Sequence, residues 1–293
     1  METVKLLSRA KINLTLDVSR LRPDGYHDID SVAQVIDLSD DLEAWRAEEG
    51  YIEVSVEAGE APADRSNLVC RAAEVFFAQT GIRGGARFVL RKRIPAQAGL
   101  GGGSGNAASA IAALDRLYDC GLSRNDMSAL AAKVGSDVAL FVFGGTLRMR
   151  GRGDLVEPLP DAPELNLVVV KPAVGVSTSW AYAELDKRER LPSGGSGAAD
   201  AAIRAGDRAA LIASLSNDFD PVLCALVPEL DAARRRLLDV GAQAAMLCGS
   251  GSAVFGVFES DDTAREAAKT LSEEFADVFA CRMLTRTESE LVQ

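Results

Sequence analysis

Histidine is nearly absent from this chain of 293 residues; only His27 is present. A multi-histidine metal site is excluded. A Ser-His-Asp or Cys-His hydrolase would have to be built on that one imidazole. Cysteine is also sparse. Cys70, Cys120, Cys224, Cys248 and Cys281 are scattered, odd in number and without metal spacing, which points to free thiols in a reducing cytoplasm. No apolar run approaches the length of a membrane span. Positive charge is in deficit, 32 Lys and Arg against 43 Asp and Glu for a net charge of −11. A nucleic-acid binder would carry a basic footprint, so that class is disfavoured. A small anion held at a local helix terminus stays compatible with the global charge. The dipeptide Gly-Lys does not occur, so there is no Walker A loop. The start, Met1-Glu2-Thr3-Val4-Lys5, enters a strand pattern at once and reads as neither signal nor transit peptide.

Glycine is concentrated. Pro95 to Asn106 reads Pro-Ala-Gln-Ala-Gly-Leu-Gly-Gly-Gly-Ser-Gly-Asn, with five glycines. A strand-like run, Arg87-Phe88-Val89-Leu90, precedes it. A helix-like run follows, with Ala107, Ile111, Leu114 and Tyr118 on one face. Glycines between a strand and a helix let backbone N–H groups converge, because no Cβ blocks approach. The helix N-terminus adds unpaired donors and partial positive charge. The combination predicts a cradle for phosphate. A dinucleotide fingerprint matches loosely at Gly103, Gly105 and Ala108. The acid expected about 20 residues later falls in Ser123-Arg124-Asn125-Asp126, which reads as a helix start, so the cradle is of another kind.

Along the chain, residues 11–18 alternate. Ile12, Leu14, Leu16 and Val18 face a core; Lys11, Asn13, Thr15 and Asp17 face the other way, by the plain reading toward solvent. Pro23-Asp24-Gly25 is a turn that presents Tyr26 and His27 side by side, a platform suited to a planar ligand. Ser31 to Leu38 and Tyr51 to Glu57 read as strands joined by an acidic turn, Ser39-Asp40-Asp41. Asn67 caps a helix. Ser123 with Asp126 forms a capping box for a helix through Val134. Asp137 stands at the mouth of the apolar run Val138 to Phe143, either as a helix cap or as a partly desolvated carboxylate able to take a proton. Thr146 to Leu159 reads as a hairpin containing Gly151-Arg152-Gly153. A boundary at Pro160 to Pro163 divides the chain into 1–160 and 161–293. In the second part Leu165 to Val170 is a strand, and Ser177 caps a helix carrying Trp180 and Tyr182. Pro192 to Gly197 reads as a flexible loop by composition. Cys248-Gly249-Ser250-Gly251-Ser252 is a second glycine cluster before the strand Ala253 to Phe258.

Taken together, three pieces resemble the GHMP small-molecule kinases. They are Lys11-Ile12-Asn13-Leu14 with Asp24-Gly25-Tyr26-His27, the loop Gly99 to Ser104, and Cys248 to Ser252. Within that superfamily, Ala10-Lys11-Ile12-Asn13-Leu14, the more specific Asp24-Gly25-Tyr26-His27 and Gly135-Ser136-Asp137-Val138 are similar to the family of 4-diphosphocytidyl-2-C-methyl-D-erythritol kinases, and Asn217-Asp218-Phe219 also fits its pattern. The resemblance runs over essentially the whole chain. It implies a two-domain α/β (α+β) fold, an N-terminal ATP-binding domain of ribosomal-protein-S5-like topology and a C-terminal ferredoxin-like domain. It implies phosphorylation of the 2-hydroxyl of the cytidine diphosphate substrate by ATP, in the non-mevalonate route to isoprenoids. Asp137 would be the base and Lys11 would sit beside it and stabilise the transferring phosphoryl. Pro95, Ala96, Gln97, Ala98, Gly99, Leu100, Gly101, Gly102, Gly103, Ser104 and Gly105 would wrap the ATP phosphates. Asn13 and Thr178 would contact substrate, and Tyr26, His27 and Tyr182 would hold the cytosine. Magnesium is expected with ATP, and no protein ligand is assigned to it. The implied partners are a small cytidine diphosphate derivative, with no nucleic acid and no membrane, in a monomer or weak homodimer. The chain departs from the family pattern at Gly105, where a second serine is usual, and at Ala139 and Leu140, where Pro and Phe are usual. Another GHMP-type kinase, or a non-catalytic ligand-binding paralogue, stays open as an alternative.

Overall fold

A computed structural model describes residues 2–188 and 192–291; Met1, the head of the N-terminal reading, lies outside them. Alternation extends well beyond residues 11–18. Strand β1 spans Val4–Leu21 and pairs antiparallel with β2, His27–Ala47, across the Pro-Asp-Gly turn. The expected acidic turn at Ser39-Asp40-Asp41 is a correction: β2 continues through it. Asp40 is fully buried and its carboxylate accepts from the N–H groups of Arg93 (2.7 Å) and Ile94 (2.9 Å), from Asn106 (2.9 Å) and from Lys92. A buried acid with that many donors has no reason to seek water.

Strand β3 (Ile52–Ala58) pairs parallel with β4 (Gly85–Arg91), and α1 (Leu68–Thr80) makes the crossover. Asn67 accepts from the Val69 N–H at 2.9 Å and starts α1. The glycine loop leads into α2 (Gly102–Tyr118), and the Ser123 box opens α3 (Arg124–Val134). Then come α4 (Val138–Phe143) and the hairpin β5 (Thr146–Gly151) and β6 (Leu155–Pro158). The later elements are β7 (Asn166–Lys171), α5 (Thr178–Asp186), α6 (Gly195–Ala205), α7 (Arg208–Ser214), β8 (Ser216–Asn217), α8 (Asp220–Leu226) and α9 (Pro228–Asp239). They are followed by β9 (Ala244–Leu247), β10 (Val254–Phe258), α10 (Asp261–Leu271), β11 (Asp277–Arg282) and α11 (Arg286–Ser289).

Two sheets result. The first has the order β3-β4-β2-β1-β8, with the β5–β6 hairpin paired to β2. The second is antiparallel, β11-β7-β10-β9. Strand β8 belongs to the first sheet, so the second is built from β7, then β9 and β10, then β11 after α10. That is the ferredoxin-like βαββαβ arrangement. One core lies under α1 to α4, with Phe76, Phe88, Ile111 and Leu114 buried in it. A second lies between the sheets, where Ile12 and Leu14 meet Leu167 and Phe255. A third lies between the second sheet and its helices, around Phe219, Leu230 and Phe258.

The solvent reading of the second β1 face is overturned. Lys11, Asn13, Thr15 and Asp17 are all 7% exposed or less. Pro192 to Gly197 is likewise no flexible loop. The Asp17 carboxylate accepts from the Ser193 hydroxyl (2.6 Å) and from the N–H groups of Gly194 (2.7 Å), Gly195 (3.2 Å) and Ser196 (3.0 Å). These are the groups at the start of α6, so a carboxylate occupies that helix N-terminus. Among the described residues no helix is long and apolar enough to cross a membrane.

Candidate active site

Two clefts meet at the glycine loop. The larger, about 1110 Å³, is walled by Pro95 through Ser104, by Lys92 and Asn106, and by Asn67 and Leu68 at the start of α1. The smaller, about 290 Å³, is walled by Lys11, Asn13, Ser136, Asp137, Arg152, Thr178, Tyr182 and Phe219, with Gly249 and Ser250 from the second glycine cluster. Gly99, Gly101 and Thr178 are common to both walls.

The loop is fixed by backbone bonds on two sides. Its Leu100 carbonyl accepts from the Lys11 N–H at 2.9 Å; its Gln97 and Ala98 carbonyls accept from Ser252 and Ala253 at 3.2 and 3.1 Å. Glycine is compulsory at two positions for different reasons. Gly99 has φ +74°, and a Cβ there would collide with the Cys248 carbonyl oxygen. Gly105 lies inside α2, where a Cβ would stand 2.5 Å from the Arg9 carbonyl oxygen on β1. Gly105 is buried against β1 and, among the described residues, is not part of either cleft wall. A side chain at 105 would therefore meet backbone, so the departure from a second serine follows from how closely α2 packs on β1.

In the smaller cleft the Lys11 ammonium donates to Asn13 Oδ1 at 2.7 Å, and Asn13 Nδ2 donates to the Ser31 hydroxyl at 2.8 Å. Asp137 occupies the residue before α4 without bonding to the helix N-terminus. Among the described residues its carboxylate has no hydrogen-bond partner, and Gly153 is the nearby backbone. Lys11 and Asp137 thus face one cavity without pairing to each other; the lysine is held by Asn13 instead. Cys248, beside this cavity, is fully buried, and burial pushes its thiol up to about 12, against the opposing pull of Lys11.

The aromatic residues divide. His27 Nε2 bonds the Asp186 carboxylate at 2.8 Å, and its ring lies 4.7 Å from that of Tyr182. Tyr182 in turn meets Phe219 edge-on at 4.9 Å. Tyr26 is half-exposed, and the Arg152 guanidinium covers its ring at 3.8 Å from the centroid. The structure therefore brings Lys11, Asn13, Asp137, Thr178 and Tyr182 to one cavity, puts His27 directly behind Tyr182, and leaves Tyr26 beyond Arg152. Among the wall residues that sequence reasoning missed are Arg152, Ser250, Lys92 and Phe219. Arg152 had a signal in its flanking glycines, and Ser250 in the second glycine cluster. Lys92, three residues before Pro95, had a signal in its neighbours Arg91 and Arg93. Phe219 had none beyond its motif.

No group of three or more His, Cys, Asp or Glu side chains comes together among the described residues in a way that could hold a metal ion.

A glycine cradle at a helix N-terminus opens onto a cavity with a lysine and a carboxylate that has no hydrogen-bond partner among the described residues, an arrangement suited to phosphate esters. Family models place residues 67–145 in the GHMP kinases N terminal domain and 199–277 in the GHMP kinases C terminal domain. The chain is 42% identical over 265 residues to the 4-diphosphocytidyl-2-C-methyl-D-erythritol kinase of Pelotomaculum thermopropionicum, covering 90% of this chain and 92% of that one. It is 41% identical over 287 residues to the enzyme of the same name from Moorella thermoacetica, covering 97% and 100%. A crystal structure of a 4-(cytidine 5'-diphospho)-2C-methyl-D-erythritol kinase superposes with TM-score 0.82 at 33% identity, covering 96% of this chain and 99% of that one. Homoserine kinase from Cytophaga hutchinsonii shares the fold, with TM-score 0.79 at 20% identity over 99% and 96% of the two chains. The chain belongs to the GHMP kinase family.

Proposed function

We propose that the protein transfers the γ-phosphoryl group of ATP to the 2-hydroxyl of 4-diphosphocytidyl-2-C-methyl-D-erythritol, a step of the non-mevalonate route to isoprenoids. The observation that carries this reading is the junction of the two clefts. The cradle wall from Gly99 to Gly101 is also the wall of the cavity that holds Lys11 and Asp137. A triphosphate laid along the loop and the first turn of α2 points its terminal group at those two side chains.

Phosphoryl transfer asks for positioning and charge stabilisation more than covalent chemistry. Asp137 accepts the proton of the attacking hydroxyl; its carboxylate is free of competing protein donors among the described residues. Lys11, fixed by Asn13, supplies positive charge to the transferring group. Thr178, within 3.1 Å of the Ser250 hydroxyl, sits where both clefts meet. Tyr182, backed by His27 and Phe219, offers a face to the cytosine, and Arg152 is a cation at the rim suited to the substrate's diphosphate. Ser104, on the wall of the larger cleft, would be the residue to hold magnesium, an ion that keeps several waters and binds phosphate oxygens. When bound, magnesium neutralises phosphate charge. The division into an ATP-binding part, 1–160, and a substrate-completing part, 161–293, belongs to the same proposal.

The test is product identification by phosphorus NMR. Incubation with ATP and the cytidine diphosphate acceptor should produce one new phosphomonoester per ADP released. ADP release without a phosphorylated acceptor contradicts the proposal.

A further inference from the structure

The Asn217-Asp218-Phe219 motif contributes little to the cavity wall except Phe219, yet Asn217 is 5% exposed and all its side-chain hydrogen-bonding groups are engaged. Its Nδ2 donates to the carbonyls of Leu247 (2.9 Å) and Gly249 (2.8 Å). Its Oδ1 accepts from the Phe219 N–H at 3.0 Å. The two ends lead to different parts of the site. Gly249 abuts the charged end, since a Cβ there would lie 3.4 Å from both Asn13 Oδ1 and Lys11 Nζ. Phe219 abuts the aromatic end, through the Tyr182 ring and then His27. Asn217 also stands opposite Leu16 in the β1–β8 pairing, on the strand that carries Lys11 and Asn13.

We infer that Asn217 is a positioning residue that holds the lysine end and the base end of the cavity in register. It does so through one side chain, donating toward one end and accepting from the other. This rests on the kinase reading above, because the two ends matter together only if a phosphoryl group and a planar base are bound at once. The chemistry of an amide is required: no other uncharged side chain of this size both donates two hydrogens and accepts through a separate oxygen.

The halves can be separated. Asn217→Asp keeps an oxygen for the Phe219 N–H and replaces the donor to Leu247 and Gly249 with a second acceptor. The second glycine cluster is then released while the aromatic stack stays. The expected result is a fall in kcat of about 10²-fold, the scale of a roughly 1 Å misplacement at a reacting centre. The acceptor KM should stay within about threefold, because base binding is retained. Hydrogen exchange should report the same split. Amides in 247–252 should exchange about tenfold faster, and those in 218–222 should be unchanged, because local opening is confined to the released segment. Leu237→Val, a change in the same core away from both clefts, is the stability control and should leave kcat within about twofold. Asn217→Ser serves as a second variant should the aspartate form fail to fold, and should move the same quantities in the same direction. A rise in acceptor KM at unchanged kcat, or unaltered exchange in 247–252, overturns the assignment. A wild-type enzyme that leaves the cytidine acceptor unphosphorylated contradicts the function instead, and the exchange measurement still decides the role of Asn217.

Discussion

Asp137 and Lys11 are separated by 126 residues of sequence, from 137 − 11, and only the fold brings them to one cavity. The residues alone left Asp137 as either helix cap or proton acceptor and turned Lys11 toward solvent; it is the resemblance to the family's motifs that singled out both. Both line the smaller cleft, and the partner that holds the lysine ammonium is Asn13 at 2.7 Å, two residues along its own strand, which the sequence did not indicate. Asp137→Asn should lower phosphoryl transfer by roughly 10²–10⁴-fold, the range supplied by general-base catalysis. Calorimetric titration should find ATP affinity within about twofold of wild type, because the cradle lies outside the change. Near-normal turnover in the variant removes the base role. Gly105 shows the opposite kind of constraint. From sequence it is a departure, a glycine where a second serine is usual; in the structure the position is filled by close packing against Arg9. Gly105→Ser should destabilise the protein by about 1–3 kcal/mol, the cost of overpacking a filled interior. Urea unfolding measures it, and an unchanged midpoint argues that α2 can move away from β1.

The same four residues, Gly-Gly-Ser-Gly, open α2 at 102–105 and straddle the start of α6 at 194–197, where Gly194 is the residue before the helix. Composition alone cannot tell a flexible linker from a helix start, and this is why one was read as a cradle and the other as a loop. What separates them is the part of β1 that lies against each, Arg9 at α2 and Asp17 at α6. At α6 the anion is internal: Asp17 takes the helix N-terminus. At α2 the first turn opens into the larger cleft. Burial by itself would raise the Asp17 carboxyl, but hydrogen bonds from Ser193, Ser196 and Gly194 outweigh it and hold the group below the usual carboxylate range. The sign follows. A carboxyl lowered in the folded state stabilises the fold above its unfolded value of about 3.9, and that contribution is lost as pH falls through the folded value. Asp17→Asn should therefore cost on the order of 2–3 kcal/mol at pH 7, the scale of hydrogen bonds to a buried charge. The gap to wild type should shrink as pH drops below about 4. A gap that stays constant from pH 7 to pH 3 rules out a charged Asp17 as the clasp.

At the scale of the whole molecule, the boundary expected at Pro160 to Pro163 lies between β6 of the first sheet and β7 of the second. The interdependence of the two sheets was not legible, because it is made by short segments with little pattern of their own. Strand β8 has only two residues and joins the first sheet beside β1. The chain end returns to the first core, where Leu284 and Leu291 are buried. There the Leu284 N–H donates to the Val35 carbonyl at 2.9 Å, and the Gln34 amide donates to the Leu284 carbonyl at 2.8 Å. Residues 1–160 expressed alone lack these pieces and the Asp17 clasp. They should give a poorly dispersed amide NMR spectrum, whereas the full chain unfolds in one cooperative transition. A well-dispersed spectrum from residues 1–160 shows that the N-terminal core needs nothing from the second half.

The cavity beyond the glycine cradle should select a cytidine diphosphate alcohol for phosphorylation by ATP. Coupled ADP release with that acceptor, homoserine and mevalonate in parallel compares the kcat/KM values directly. The cytidine diphosphate acceptor should exceed the other two by at least about 10³-fold, since a site built for polar partners rejects ligands that lack them. A kcat/KM for homoserine or mevalonate equal to or above that of the cytidine acceptor would contradict it.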